Sequence, residues 1–362
     1  MKDGKLTLNK SHSLGYSRHV EVESDATLAF AGTSQTEEIG SIKSYADGAL
    51  SGTVNLTLGV NRAEYGDNFS SSSIGGANGD LHGSLTLASG HTLTINNVNG
   101  LGDMSVDGSV YTTPDGDENA KLILTSGSGT FDNSLTGKLD VDITSTTGGM
   151  NWSGSNSYTG STTIRGAGVT LLNNGVLGTS GSHTSILAID DGATFNLGTT
   201  TQYAGEINAS GDGAVVGTGT LMLDRGGLIA GANSDFSGIV VVLDETLEIN
   251  NAESLGTGQA NLSGDAVLNI EGVSGTDGGY AVIDNVITGS GSVSVSSDSV
   301  VQLDGNNSFT GGIDIAGDLL ATGNVGAHIG YGEVKIETDG KAVFAGSSGW
   351  TLTNKPKQNR NR

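Results

Sequence analysis

The sequence predicts an all-β protein wound as one coil of short parallel strands, and three observations predict it. A ten-residue phrase recurs along the chain. Each recurrence is cut into short apolar segments by glycine, asparagine and aspartate. No segment of 12 or more residues carries the 3.6-residue apolar stripe that a surface helix needs.

The phrase LTINNVNGLG at 93–102 returns as LEINNAESLG at 247–256, with weaker copies at 6–15 (LTLNKSHSLG), 169–178 (VTLLNNGVLG) and 319–326 (LLATGNVG). Their closing glycines, Gly15, Gly102, Gly178, Gly256 and Gly326, lie 87, 76, 78 and 70 residues apart. Self-similarity at such a period marks a stacked array, in which each unit buries its apolar face against the next. A second phrase opens the units: NGDLHG at 78–83, SNSYTG at 155–160, NSDFSG at 233–238 and NNSFTG at 306–311. Units therefore start near 78, 155, 233 and 306, after a truncated first unit at 1–77. From the last glycine of this phrase to the next closing glycine the count is 19, 18, 18 and 15. Alternating segments such as SLTL at 84–87 and IVVV at 239–242 lie between the two and read as strands. After the closing glycine come further strands, SDATLAF at 24–30, DDGATFNL at 190–197, GDAVLNI at 264–270 and DGKAVF at 339–344. GTGTLML at 217–223 and GSGSVSV at 289–295 complete the set.

Composition agrees. The 362 residues include 60 glycines, 2 prolines and no cysteine. Glycine is more than twice its usual share of about 7% yet has no three-residue period, which excludes collagen. Aromatics are 5% of residues, so thin aliphatic ladders rather than a bulky core must fill the interior. At about 20–25 residues per turn and about 4.8 Å per rung, the chain would make about 15 turns, about 70 Å in all. The net charge of −23 repels phosphate backbones and excludes nucleic acid as a partner. Four of the 16 basic residues fall in the last eight positions, so residues 1–354 carry −23 − 4 = −27. The repeat array thus spans 1–354, and 355–362 reads as a disordered basic tail. No apolar stretch comes after Lys2 and Lys5, so a signal peptide is not expected. No run of 18 apolar residues provides a membrane helix.

The phrases resemble the passenger-associated strand repeat of autotransporter (type V secreted) passenger domains, roughly N-x-[YF]-T-G-x-T-x-I, then G-x-L-x-L, then a closing L-G. SNSYTGSTTIRGAGVTLLNNGVLG at 155–178 carries most of it, followed by 306–326 and 233–256. NGDLHG departs furthest, with Leu81 and His82 in place of the aromatic and the hydroxyl residue. The resemblance implies a single-stranded right-handed parallel β-helix on a Gram-negative cell surface, at the outer membrane or secreted, with roles in adhesion, biofilm and virulence. It also implies an outer-membrane β-barrel translocator as family partner, which this chain lacks. A cysteine-free chain suits passage through an oxidising periplasm, where disulfides would staple it early.

The repeat positions Asn156, Tyr158, Gly160 and Gly178, Asn233, Phe236, Gly238 and Gly256, and Asn306, Phe309, Gly311 and Gly326 read as stacked turns. The amides would bond neighbouring backbones and the rings would fill the coil; an exposed aromatic row for sugar rings is the alternative. Two inserts break the spacing, 61–77 with Tyr65, Asp67 and Phe69, and 111–119 with Tyr111 and Asp115, and these are the candidate recognition loops.

No nucleophile elbow, P-loop or HExxH motif is present, and the six histidines read as solvated turn residues. The acidic pairs at 115–118 and 190–192 invite calcium, but the nonapeptide of calcium-loaded β-rolls is missing. No catalytic residue, metal or cofactor is therefore assigned, and the chain is not expected to be an enzyme. The expectation is a fragment of a surface adhesin or self-association module, whose partner is another copy or a host glycan or matrix protein. A passive stalk, a remnant of a disrupted gene and, more distantly, a polysaccharide-degrading enzyme are the alternatives.

Overall fold

The computed structural model describes residues 1–15, 19–60, 70–108, 118–125, 128–144, 149–154, 156–165, 169–171, 187–189, 194–196, 215–223, 227–229, 231–322 and 328–345. It is all-β with essentially no helix, its parallel sheets stacked as a β-solenoid of about 12 turns. Paired positions lie 18 to 30 residues apart, as for Val301 with Leu319 and Lys43 with Ser73, and the turns number about 12 against about 15 expected. The longest turns hold the two inserts, of which residues 61–69 and 111–117 lie outside the described residues.

Two compact units divide the chain, Met1–Leu187 and Ala188–Arg362. In the first, a six-stranded sheet runs through Asp3–Leu8, Asp25–Ile39, Leu50–Leu58, Leu81–Leu87, Ser105–Gly108 and Leu135–Gly137. A second sheet contains His19–Val22, Ser41–Ser44, Ser71–Ile74, Thr92–Ile95, Ala120–Leu124, Leu139–Ile143 and Thr162–Ile164. In the second unit, one sheet takes Thr194–Asn196, Thr220–Leu223, Ile239–Leu243, Gln259–Ser263 and Val286–Gly289. Another takes Gly227–Ile229, Thr246–Ile249, Val267–Ile270, Ser292–Val295, Ile313–Ile315 and Val334–Ile336. A four-stranded sheet of Ala281–Ile283, Val300–Leu303, Asp318–Thr322 and Lys341–Ala345 completes it.

Strict alternation puts every second side chain inside, and parallel in-register pairing stacks like on like. Ile74, Ile95, Leu124, Ile143 and Ile164 form one buried column of the first unit. Leu247, Leu268, Val293, Ile313 and Val334 form one in the second. Each such side chain contributes about 1.5–3 kcal/mol on burial, and the columns are the core.

Glu37 and Ser72 are among the buried polar residues that interrupt the columns, and both have partners. Glu37 heads the column that continues through Leu56, Leu85, Val106 and Leu135, and it is fully buried. Its carboxylate accepts the Ser13 and Leu14 backbone N–H groups at 2.9 and 3.1 Å, fixing the first corner. Ser72 stands beneath Leu93; its hydroxyl accepts the Ile42 N–H at 3.0 Å and meets His91 Nε2 at 2.9 Å.

Candidate functional site

The repeated phrase builds a corner, and the same bonds recur at each copy. Asn96 and Asn250 accept the N–H groups of Gly76 and Gly231 from the turn before. Asn97 and Asn251 accept the N–H two residues on, from Asn99 and Glu253, each closing an Asx turn. Leu101 and Leu255 then point inward, and Gly102 and Gly256 take φ of 54° and 66°. A Cβ on Gly256 would stand 2.0 Å from the Phe236 carbonyl oxygen, and one on Gly102 would stand 2.1 Å from that of Leu81. Only glycine satisfies both the left-handed backbone and the close approach.

The last copy of this corner closes at Gly330. Its φ is 68°, it lies beneath the Phe309 carbonyl, and Ile329 is the buried residue before it. From Gly311 to Gly330 is 19 residues, which restores the spacing that Gly326 shortened to 15. Gly326 and Gly178 lie outside the described residues.

Buried asparagines tie adjacent turns together at the second phrase. Asn233 is fully buried; its Oδ1 accepts the Val215 N–H and its Nδ2 donates to the Ser254 carbonyl, both at 2.9 Å. Asn156 accepts the Leu135 N–H at 2.8 Å and donates to the Gly154 carbonyl. In NNSFTG the position belongs to Asn307, not Asn306. Asn307 accepts from Ile287 at 2.7 Å and donates to the His328 carbonyl at 2.6 Å, whereas Asn306 is exposed. Three further members carry weaker sequence signals. Asn78 joins Leu50 N–H to the Gly100 carbonyl. Asn133 donates to the Gly102 and Met104 carbonyls, and Asn285 to those of Gly256 and Gly258.

Tyr158, Phe236 and Phe309 are fully buried among the columns, so these rings pack in the core and not in an exposed row. The Tyr158 hydroxyl meets Thr162 Oγ1 at 2.5 Å. Burial pushes its phenol well above the usual tyrosine range, against the smaller effect of the Thr162 hydrogen bond. Phe131 and Trp152 stack with centroids 4.9 Å apart. Gly160, Gly238 and Gly311 let backbones pass closely: a Cβ on Gly238 would lie 1.9 Å from the Gly219 carbonyl oxygen. The predicted repeat residues are therefore brought together as masonry, with no reacting centre among them. The loop residues Tyr65, Asp67, Phe69, Tyr111 and Asp115 lie outside the described residues.

Chemistry-bearing groups elsewhere are dispersed. His91 departs from the expected solvated turn residue, being 2% exposed. The Ser72 hydroxyl beside it is also buried and already holds the Ile42 amide, so a substrate has no path to the pair. His82 pairs with Asp103 at 2.5 Å on the surface, and His328 Nδ1 meets the Gly305 carbonyl at 3.0 Å. His183 lies outside the described residues. Asp142 is bracketed by Lys121 at 3.1 Å and Arg165 at 3.0 Å on the outer face of its sheet. Among the described residues no group of three or more His, Cys, Asp or Glu is placed to hold a metal ion. None of their helices is long and apolar enough to cross a membrane. A shallow groove of about 420 Å³ in the first unit is lined by small residues, among them Gly48, Ala77 and Gly79, between Lys5 and Asp80.

The outer faces differ in charge. Glu21, Lys43, Lys121, Asp140 and Asp142 mark the second sheet of the first unit, and Glu248, Asp314 and Lys335 the sheet of the second that includes Thr246–Ile249 and Ile313–Ile315. The strands Thr220–Leu223, Ile239–Leu243, Gln259–Ser263 and Val286–Gly289 carry no charged residue. Comparison with family models, curated proteins and solved structures returns no match for the chain.

Proposed function

We propose that this chain is a segment of an autotransporter-type passenger that acts at the bacterial surface as an adhesive, self-associating module. The observation that supports this most is the corner repeat. Asparagine ladders and left-handed glycines hold turn upon turn of parallel strand, so outward side chains recur at fixed spacing on each sheet face. Such a face offers many weak, additive contacts rather than one reacting centre. The acidic surface keeps copies apart at low ionic strength and lets them meet when salt screens it.

The test is adhesion itself. Beads coated with the full chain should clump with one another, or bind cells or matrix, and do so more as salt rises. Beads that stay dispersed and unbound across salt and calcium would sink this reading and favour a stalk that presents another domain.

A further inference from the structure

We propose that the Asn99–Gly100 peptide is a self-modification site. There the main chain closes on the Asn99 side chain, expels ammonia and, on taking up water, leaves an aspartyl or isoaspartyl residue in the corner.

The chemistry is intramolecular and needs only base and water. Base removes the proton of the Gly100 N–H, and the nitrogen attacks Asn99 Cγ. An N–Cγ bond forms, the Cγ–Nδ2 bond breaks, and the leaving nitrogen takes a proton from water to depart as ammonia. Water then opens the five-membered imide. Asparagine is a thermolabile residue, and a following glycine suits the attack because no Cβ crowds the approach.

Three Asn–Gly pairs occur, at 78–79, 99–100 and 174–175, and the last lies outside the described residues. The structure separates the other two. Asn78 is fully buried; its Oδ1 accepts the Leu50 N–H at 2.9 Å and its Nδ2 donates to the Gly100 carbonyl at 2.8 Å. Turning that amide toward Gly79 breaks both bonds, which slows closure by about a hundredfold or more. Asn99 is exposed, and its side-chain amide makes no hydrogen bond among the described residues. What restrains it is the Gly100 N–H, which donates to the Asn97 carbonyl at 2.8 Å. Releasing one such bond slows the attack by up to about tenfold.

The matching corner is built without the reactive pair. In LEINNAESLG, Glu253 and Ser254 stand where Asn99 and Gly100 do. The Ser254 N–H keeps the same bond, to the Asn251 carbonyl at 3.1 Å, and its hydroxyl donates to the Gly231 carbonyl at 3.2 Å. A Cβ on Gly100 would lie 2.9 Å from the Asn97 carbonyl oxygen and 3.4 Å from that of Gly76, the counterpart of Gly231. The slightly longer turn bond at Ser254 shows how the corner admits a Cβ. An acid and a serine thus serve this corner as well as asparagine and glycine do.

The two products differ in their effect on the coil. Reopening at Cγ leaves an aspartate, a carboxylate where the sibling corner already carries Glu253. Reopening at the main-chain carbonyl routes the chain through Cβ and Cγ, lengthens it by a methylene and turns that carbonyl into a free carboxylate. The Asn99 carbonyl accepts the Asn78 N–H at 2.9 Å and the Gly102 N–H at 3.1 Å. The isoaspartyl form therefore loosens the tie to the turn before, at the asparagine that itself joins Leu50 to Gly100.

Ageing the full chain at mildly alkaline pH in heavy-oxygen water, followed by peptide mapping with mass spectrometry, tests this residue by residue. Oxygen label should enter at Asn99 about tenfold or more faster than at Asn78, and faster still as pH rises. Gly100→Ser, which copies Ser254, should slow labelling severalfold because a Cβ now crowds the attacking nitrogen. Asn99→Glu, which copies Glu253, should abolish it at this position. Circular dichroism and thermal melting verify the fold of both variants. In aged wild type, hydrogen exchange at the Asn78 amide should quicken by about tenfold in the isoaspartyl fraction, whereas aged Asn99→Glu should match its fresh form. The proposal is overturned if Asn78 gains label as fast as Asn99, or if Gly100→Ser is labelled as fast as wild type. It is equally overturned if Asn99 stays unlabelled long after a free peptide of residues 93–102 has been converted.

Discussion

Replacing Asn233 by alanine isolates the bond that joins one turn to the next. The side chain is fully buried, accepts the Val215 N–H from the turn before and donates to the Ser254 carbonyl of the turn after. Alanine leaves one donor and one acceptor buried without partners. At about 1–3 kcal/mol for each orphaned group, the change costs about 2–6 kcal/mol. Stacked turns interact mainly with their neighbours, so the loss should be local before it is global. Hydrogen exchange at the Val215 amide is the direct assay, with urea unfolding beside it. Protection at Val215 should fall by about one and a half to four powers of ten, since each 1.4 kcal/mol is tenfold. The NNSFTG pair supplies an internal control. Asn307→Ala should behave like Asn233→Ala, while Asn306→Ala, at an exposed position, should stay within about 0.5 kcal/mol of wild type. If Val215 stays as protected in Asn233→Ala, or if Asn306→Ala is the more damaging of the pair, the ladder is not what holds the turns.

The same corners set two more outcomes. Gly256→Ala adds both a left-handed backbone penalty of about 1–2 kcal/mol and a Cβ 2.0 Å from the Phe236 carbonyl oxygen, whereas Gly48→Ala, at φ 68° with open space, adds the first alone; thermal melting should rank Gly256→Ala well below Gly48→Ala. Tyr158 holds its proton more tightly when folded than a free tyrosine does, so its contribution is complete below about pH 10 and is lost as pH rises further; alkaline unfolding should begin at higher pH in Tyr158→Phe, at a cost of about 1 kcal/mol at neutral pH for the Thr162 hydrogen bond.

Much of the fold was legible because its rules are local. LTINN and LEINN announce the same corner because both asparagines do the same work in each copy, one reaching to the previous turn and one closing its own. Alternation in IVVV and SLTL fixes which side chains enter the core. What stayed hidden depends on the turn above or below. Asn133 and Asn285 precede Leu135 and Ile287 rather than an aromatic residue, so the second phrase does not flag them. In the pair Asn306 and Asn307, sequence offers two identical side chains one residue apart, and only register decides between them. Constancy of the 18- or 19-residue spacing was the available signal for Gly330 over Gly326. Glu37 and Ser72 break the apolar alternation, and the Ser13, Leu14 and Ile42 amides that justify them come from other turns. The named residues of the recognition loops fall outside the described residues, while Ser71–Ile74 of the first insert proves to be a sheet strand rather than loop, and the charge-free sheet face emerges only once register lines up four strands distant in sequence.

The short reach of the pairings bears on how the protein acquires its structure. Val20 pairs with Ile42 and Val240 with Ala260, separations of 22 and 20 residues in a chain of 362. The ratio 22/362 is about 0.06, below even the values typical of helical bundles and far from those of β-sandwiches. Loop closure then costs the same at every step, whatever the total length, since each new coil needs only its predecessor as a template. Nucleation is the slow event. Growth then proceeds at an edge, rapid for a β protein and indifferent to how much chain is still to come.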